Sequence, residues 1–146
     1  LTVPDGVDIE GVANGLPGKP GGREHELAWV LRELSRRQVR NVVWLTADVH
    51  YTAAHHYSPD RAAVGDFDPF WEFVSGPLHA GAFGPNTLDP TFGPEAVFVH
   101  APPAANTSPL DGFQHFGEVK ADRDELTVWL RDATGASLWS KTLSAC

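Results

Sequence analysis

The sequence predicts an α/β fold: a mixed sheet with a flanking helix, ending in an antiparallel three-stranded meander. Three observations carry that expectation. Residues 23–38 space their apolar side chains at helical intervals, and Val42 to Ala47 form a compact, mostly apolar run. The last third of the chain alternates apolar and polar residues between short turn signals. An uninterrupted apolar strand beside an amphipathic helix is usually covered on both faces, which implies a layered architecture. Alternation between tight turns is instead the mark of a half-buried antiparallel sheet.

With 146 residues the chain fits one unit with a real core. Residues 1–22 are rich in Gly, Pro and polar residues and read as loop. From Arg23 to about Gln38 a helix is expected, with Leu27, Val30, Leu31 and Leu34 on one stripe. Glu24 and Glu26 in its first turn and Arg36 and Arg37 in its last complement the helix dipole. Val39 to Asn41 connect it to the 42–47 strand. The stretch after His50, ending at Pro59, is expected to begin a helical turn. Phe70 to Ser75 alternates large apolar residues and reads as a strand, and Ala96 to His100 as another. The intervening 76–94 segment carries too many Gly and Pro residues for regular structure, and 101–112, with three prolines, is a further loop.

Phe113 to Ala121, Glu125 to Asp132 and Ala136 to Leu143 read as the meander. Asp122-Arg123-Asp124 and Ala133-Thr134-Gly135 supply its turns, the second with a Gly suited to positive φ. Leu126, Val128 and Leu130 share one face, and Thr127, Trp129 and Arg131 the other. The expected organisation is a single unit: a 1–22 loop, a 23–112 α/β part and a 113–146 meander.

Net charge is −8, and the basic residues are scattered apart from Arg36, Arg37 and Arg40. No basic stripe is present, so binding along a nucleic-acid backbone is not expected. A phosphate ester remains an acceptable substrate, because a bound cation can dominate the local field. The single cysteine is Cys146, so no intrachain disulfide forms. No apolar run is long enough to span a membrane. The chain contains no Met and opens at Leu1 on a loop-like stretch, so a fragment or a processed chain is expected.

The chemistry concentrates where the 42–47 strand ends. Asp48 and His50 are two residues apart, and strand alternation would point both to the same side. A carboxylate beside an imidazole suits a divalent or trivalent metal, hard oxygen next to borderline nitrogen. Crevices at the carboxyl ends of strands are where sheets with helix crossovers bind ligands. The plain alternative is a surface Asp and His at a strand-to-loop junction. His55 and His56 follow, placing four potential ligands within nine residues. Metal-assisted hydrolysis needs such groups, since a bound cation lowers the pKa of bound water from ~15.7 toward ~7. The spacing matches neither a zinc finger nor a His-Glu-x-x-His helix.

Four segments, VVWLTADVHYTAAHHYSP, DPFWEFVSGPLHAGAFGPNTLDPTFGPEAVF, DGFQHFGEV and ELTVWLRDATGASLWSKTL, resemble the C-terminal part of the PhoD-like alkaline phosphatase and phosphodiesterase family. The likeness runs from about Arg23 to Leu143. It implies a metallophosphoesterase-type α/β sandwich related to calcineurin-like enzymes, hydrolysis of phosphate mono- or diesters, and export from the cytoplasm. It also implies a dinuclear centre, commonly of iron and calcium. Asp48-Val49-His50 would be the family's late Asp-x-His motif, making Asp48 and His50 metal ligands or immediate neighbours of the bound phosphate. His55, in the matching Ala-Ala-His-His stretch, would sit near the same mouth and serve catalysis. The family's early acidic and Asn-His motifs have no counterpart. Gly65-Asp66-Phe67-Asp68 is a superficial likeness in the wrong place. The other ligands are therefore expected from a missing N-terminal part or a partner chain, and by itself this chain is alternatively a non-catalytic module.

Other residues carry weaker signals. His79, in Gly76-Pro-Leu-His-Ala-Gly81, would contact substrate from a folded-over loop as a second catalytic candidate, or else brace that loop. Asn86 reads as a left-handed turn residue and Tyr51 as packing. Ser58 and Ser75 lack a nucleophile elbow. The acidic residues Asp66, Asp68, Asp122 and Asp124 show no EF-hand spacing. His115 reads as a satisfied structural histidine, and the Trp and Phe positions as core.

Overall fold

A computed structural model describes residues 11–145. The expected 1–22 loop therefore lies partly outside the described residues. Helix α1 (Glu24–Arg36) is amphipathic and buries Leu27 and Leu31, one turn apart. These pack with Tyr57, Phe67, Phe70 and Phe92 into one core cluster. The Glu24 carboxylate accepts hydrogen bonds from the Asn14 amide side chain, the Asn14 N–H and the Gly21 N–H, and so ties the preceding loop to the first turn. Gln38, at φ 58°, ends the helix by turning left-handed.

Strands β1 (Val43–Thr46), β2 (Thr52–Tyr57), β3 (Phe70–Val74) and β4 (Pro94–His100) form one sheet in the order β1-β3-β2-β4. β1 runs parallel to β3, and β2 is antiparallel to both β3 and β4. That pairing brings the carboxyl ends of β1, β3 and β4 and the amino end of β2 to a single edge of the sheet. Strands β5 (His115–Ala121), β6 (Glu125–Asp132) and β7 (Ser137–Ser144) form the antiparallel meander. Its apolar face meets the first sheet through Val128 and Leu130, packed with Ala54, Phe73, Trp71, Phe98 and Trp139. Gly135 sits at φ 88°, as its turn requires. The mixed sheet with one helix and the antiparallel meander are thus both present.

Three expectations are corrected. The segment after His50 forms β2, an inner strand, rather than a helical turn. Its backbone pairs on both sides, with β3 and β4, and its small Ala53 and Ala54 let those neighbours close over it. Tertiary pairing here overrides the weak helical preference of Ala. β1 is not covered on both faces. Among the described residues it is an edge strand, and Leu45 is 61% exposed, opening on a groove shared with Ser75, Val119 and Val128. Asn86 does not have positive φ, so a left-handed turn is not its reason for being there.

Candidate active site

β1 stops at Thr46, and the chain then leaves strand geometry. Asp48 lies at φ 79° and His50 at φ 61°, a left-handed backbone that non-glycine residues rarely adopt. Simple alternation therefore does not place these side chains. Both nonetheless line one open cleft of about 640 Å³, together with Val49, Phe83, Gly84, Pro85 and Asn86. That volume is in the range of small-ligand sites.

The His50 ring is held from two directions. Its Nδ1 lies 2.6 Å from the carbonyl oxygen of Gly81, and its ring meets Phe83 edge-on at 5.6 Å. A carbonyl only accepts, so Nδ1 carries a proton, and in the neutral ring Nε2 is the nitrogen with the lone pair. This is how backbone partners commonly fix a metal-ligating imidazole. The Phe83 N–H donates in turn to the His50 carbonyl at 3.0 Å, clasping the same residue from behind. Asp48 is exposed and, among the described residues, its carboxylate makes no hydrogen bond.

Behind the cleft-lining Gly84 lies Tyr51, only 1% exposed, whose hydroxyl accepts from the Asn86 N–H at 3.4 Å. Burial pushes its phenol above the usual range, so it stays protonated across neutral pH. Gly84, at φ 92°, lies directly on the Tyr51 ring, where a Cβ would stand 2.8 Å from Cε1.

Sequence reasoning named four site residues, and the structure brings two of them together. Asp48 and His50 share the cleft. His79 is exposed on the 76–81 loop, two residues before Gly81, and does not line the cleft. His55 is 2% exposed within β2, with Nδ1 3.2 Å from Glu72. The Glu72 carboxylate also accepts from the Tyr57 hydroxyl at 2.6 Å and the Thr46 hydroxyl at 2.8 Å. Burial works to raise the Glu72 carboxyl, but hydrogen bonds from His55 and Tyr57 help hold it well below the usual carboxylate range.

Other parts of the site had no signature in the sequence. The Gly81 carbonyl is a backbone atom, and the residues that fix its loop are remote in sequence. His115 is buried as a structural histidine should be. Its Nδ1–H donates to the Gly76 carbonyl at 3.0 Å, so its Nε2 accepts from Nδ1–H of His100 at 2.8 Å. Burial pushes His115 down, which favours its neutral ring.

The family model of PhoD-like phosphatases matches residues 4–130, most of the chain and all of the cleft. The chain belongs to the PhoD-like phosphatase family. No curated protein and no solved structure matches it. Membership in the PhoD-like family makes this a hydrolase chain whose relatives act on phosphoesters and are generally metal-dependent. Among the described residues no three His, Cys, Asp or Glu side chains converge as a metal-binding group. Asp48 and His50 fit a metal as part of a ligand set: one exposed carboxylate and one imidazole whose bare Nε2 is fixed by the backbone. No helix among the described residues is long and apolar enough to cross a membrane.

Proposed function

We propose that this chain supplies Asp48 and His50 to a dinuclear metal centre that hydrolyses small phosphate mono- or diesters. The observation that carries the reading is the His50 ring, held by Gly81 in the tautomer that leaves Nε2 free, in a ligand-sized cleft that Asp48 also lines. Bound metal would supply Lewis-acid stabilisation of charge on the phosphoryl oxygens. The protein's own share is orientation. The Gly81 carbonyl fixes the imidazole, Phe83 shields its ring, and Tyr51 with Gly84 shapes the wall against which an ester would rest. Iron with calcium suits this mixture of imidazole nitrogen and carboxylate oxygen. Export from the cytoplasm belongs to the same reading.

His79, exposed on the loop that ends at Gly81, does not line the cleft and would contact substrate only with that loop folded over it. His55, enclosed with Glu72, would act only by setting the β2–β3 framework below the cleft. The remaining metal ligands come from outside residues 11–145. The open edge of β1 favours a second reading, in which the chain is inert until another polypeptide segment pairs there and completes the site.

The test is metal content per chain by mass spectrometry, with hydrolysis of p-nitrophenyl phosphate and its bis ester. One or two ions per chain and chelator-sensitive turnover are expected from the completed site. His50→Ala and Asp48→Ala should each lose most activity while circular dichroism stays native. Near-wild-type turnover in either variant would sink the assignment. Metal-free, inactive chain that gains both on adding a pairing segment would select the second reading.

A further inference from the structure

Gly81 is the residue on which the His50 tautomer depends, yet it has little means of holding itself still. A glycine carries the widest backbone freedom of any residue. Here a Cβ would meet the Asn106 carboxamide, so any side chain would have to displace that group. The direction of its carbonyl must therefore be set by the peptides on either side. On the far side, Ala82 pairs with Thr107 through two backbone hydrogen bonds of 2.9 and 3.0 Å. On the near side no strand partner is present among the described residues, and a side chain takes that place.

That side chain is Gln114, 7% exposed. Its Oε1 accepts from the Ala80 N–H at 3.2 Å, and its Nε2–H donates to the Ala80 carbonyl at 3.0 Å. One amide thus closes on both polar atoms of Ala80, as a neighbouring strand would. The Ala80 carbonyl belongs to the peptide that joins Ala80 to Gly81. His115 extends the grip, with its N–H donating to the Pro77 carbonyl at 2.7 Å and its ring to Gly76.

We infer that Gln114 is a positioning residue of the PhoD-like site: it fixes the Ala80–Gly81 peptide so that the Gly81 carbonyl selects the His50 tautomer with Nε2 free for metal. This rests on the reading of His50 as a ligand, and the test separates the two. Gln114→Met keeps length and apolar bulk but removes both hydrogen bonds. Gln114→Glu keeps an acceptor for the Ala80 N–H. When ionised, however, it presents a carboxylate to the carbonyls of Ala80, Gly112 and Phe113, which the native amide faces at 3.0, 3.5 and 3.3 Å. Protonation would restore a donor and with it the native pattern.

The first readout is the ring ¹⁵N spectrum of His50 in metal-free protein. Wild type should show a single Nδ1–H tautomer, and Gln114→Met a mixture of both. The second is Co(II) affinity followed by absorption, expected to fall about 10-fold, the low end for residues supporting a ligand from outside. For Gln114→Glu the deficit relative to wild type at the same pH should shrink on acidification. A Gln114→Met protein with a lower melting temperature but a wild-type tautomer and Co(II) affinity would overturn the inference. So would a Gln114→Glu deficit that ignores pH. Unchanged Co(II) affinity in His50→Ala would instead overturn the ligand reading, whatever Gln114 does to the tautomer.

Discussion

Replacing Gly84 by Ala should damage both stability and the cleft, and the structure gives the size of the effect. Gly84 lies at φ 92°, a region that strains any residue bearing a Cβ, at ~1–3 kcal/mol. The new methyl would also stand 2.8 Å from Cε1 and 3.1 Å from Cγ of Tyr51, whose ring is fully enclosed. Overpacking of that kind adds ~1–3 kcal/mol. The ring cannot retreat cheaply, because the Tyr51 hydroxyl anchors the Asn86 N–H and the ring packs with Ala53 and Val74. The total is ~2–6 kcal/mol of destabilisation. Urea unfolding with the slope held in common reads it directly. If the ring did yield, the penalty would shrink and the displaced cleft wall would appear as lost turnover in the completed enzyme. A Gly84→Ala protein with wild-type unfolding midpoint and wild-type turnover would refute the reasoning, since neither route would then have been taken.

Two further outcomes follow from the same geometry. Burial works to raise the Glu72 carboxyl, yet hydrogen bonding that includes His55 and Tyr57 holds it at about 2 against an ordinary 4.5. A lowered folded-state pKa contributes stability above the unfolded value and loses it as pH falls toward the folded one. Unfolding free energy should therefore decline between about pH 4.5 and about pH 2, and Glu72→Gln should lack that part of the slope; equal slopes would refute it. Asp48→Gly removes a strained non-glycine residue at φ 79°, which costs about 1–2 kcal/mol. It should leave stability equal or raised while abolishing turnover, and a variant that is both less stable and active would contradict the placement.

The meander was legible because its rules are local. Leu126, Val128 and Leu130 alternate, Gly135 supplies the turn, and nothing distant competes with them. α1 was legible for the same reason, through the Leu27–Leu31 stripe and the charges at its ends. The 51–59 segment was not, because its strand character comes from β3 and β4, which flank it in space. Neither neighbour is visible in a window around Ala53 and Ala54. The exposure of Leu45 was hidden likewise: an apolar run does not reveal whether its strand lies inside a sheet or at the edge.

The site divides along the same line. Asp48 and His50 announced themselves by residue type, but the route by which they reach one cleft was misread. Their backbones are left-handed, so the alternation that first grouped them is not what brings them together. The two nonetheless line the same cleft, which the left-handed turn at 48–50 achieves in place of alternation. What the sequence could not carry was the second set of partners. His50 is preorganised by a backbone carbonyl, while Asp48, exposed and without a hydrogen bond among the described residues, would still have to be ordered on binding a cation. Ordering a side chain costs conformational entropy, and a ligand already held avoids that cost. On the proposed reading the two residues of one motif would therefore contribute differently: His50 as a fixed point for a cation, and Asp48 as an exposed charge that has still to be ordered.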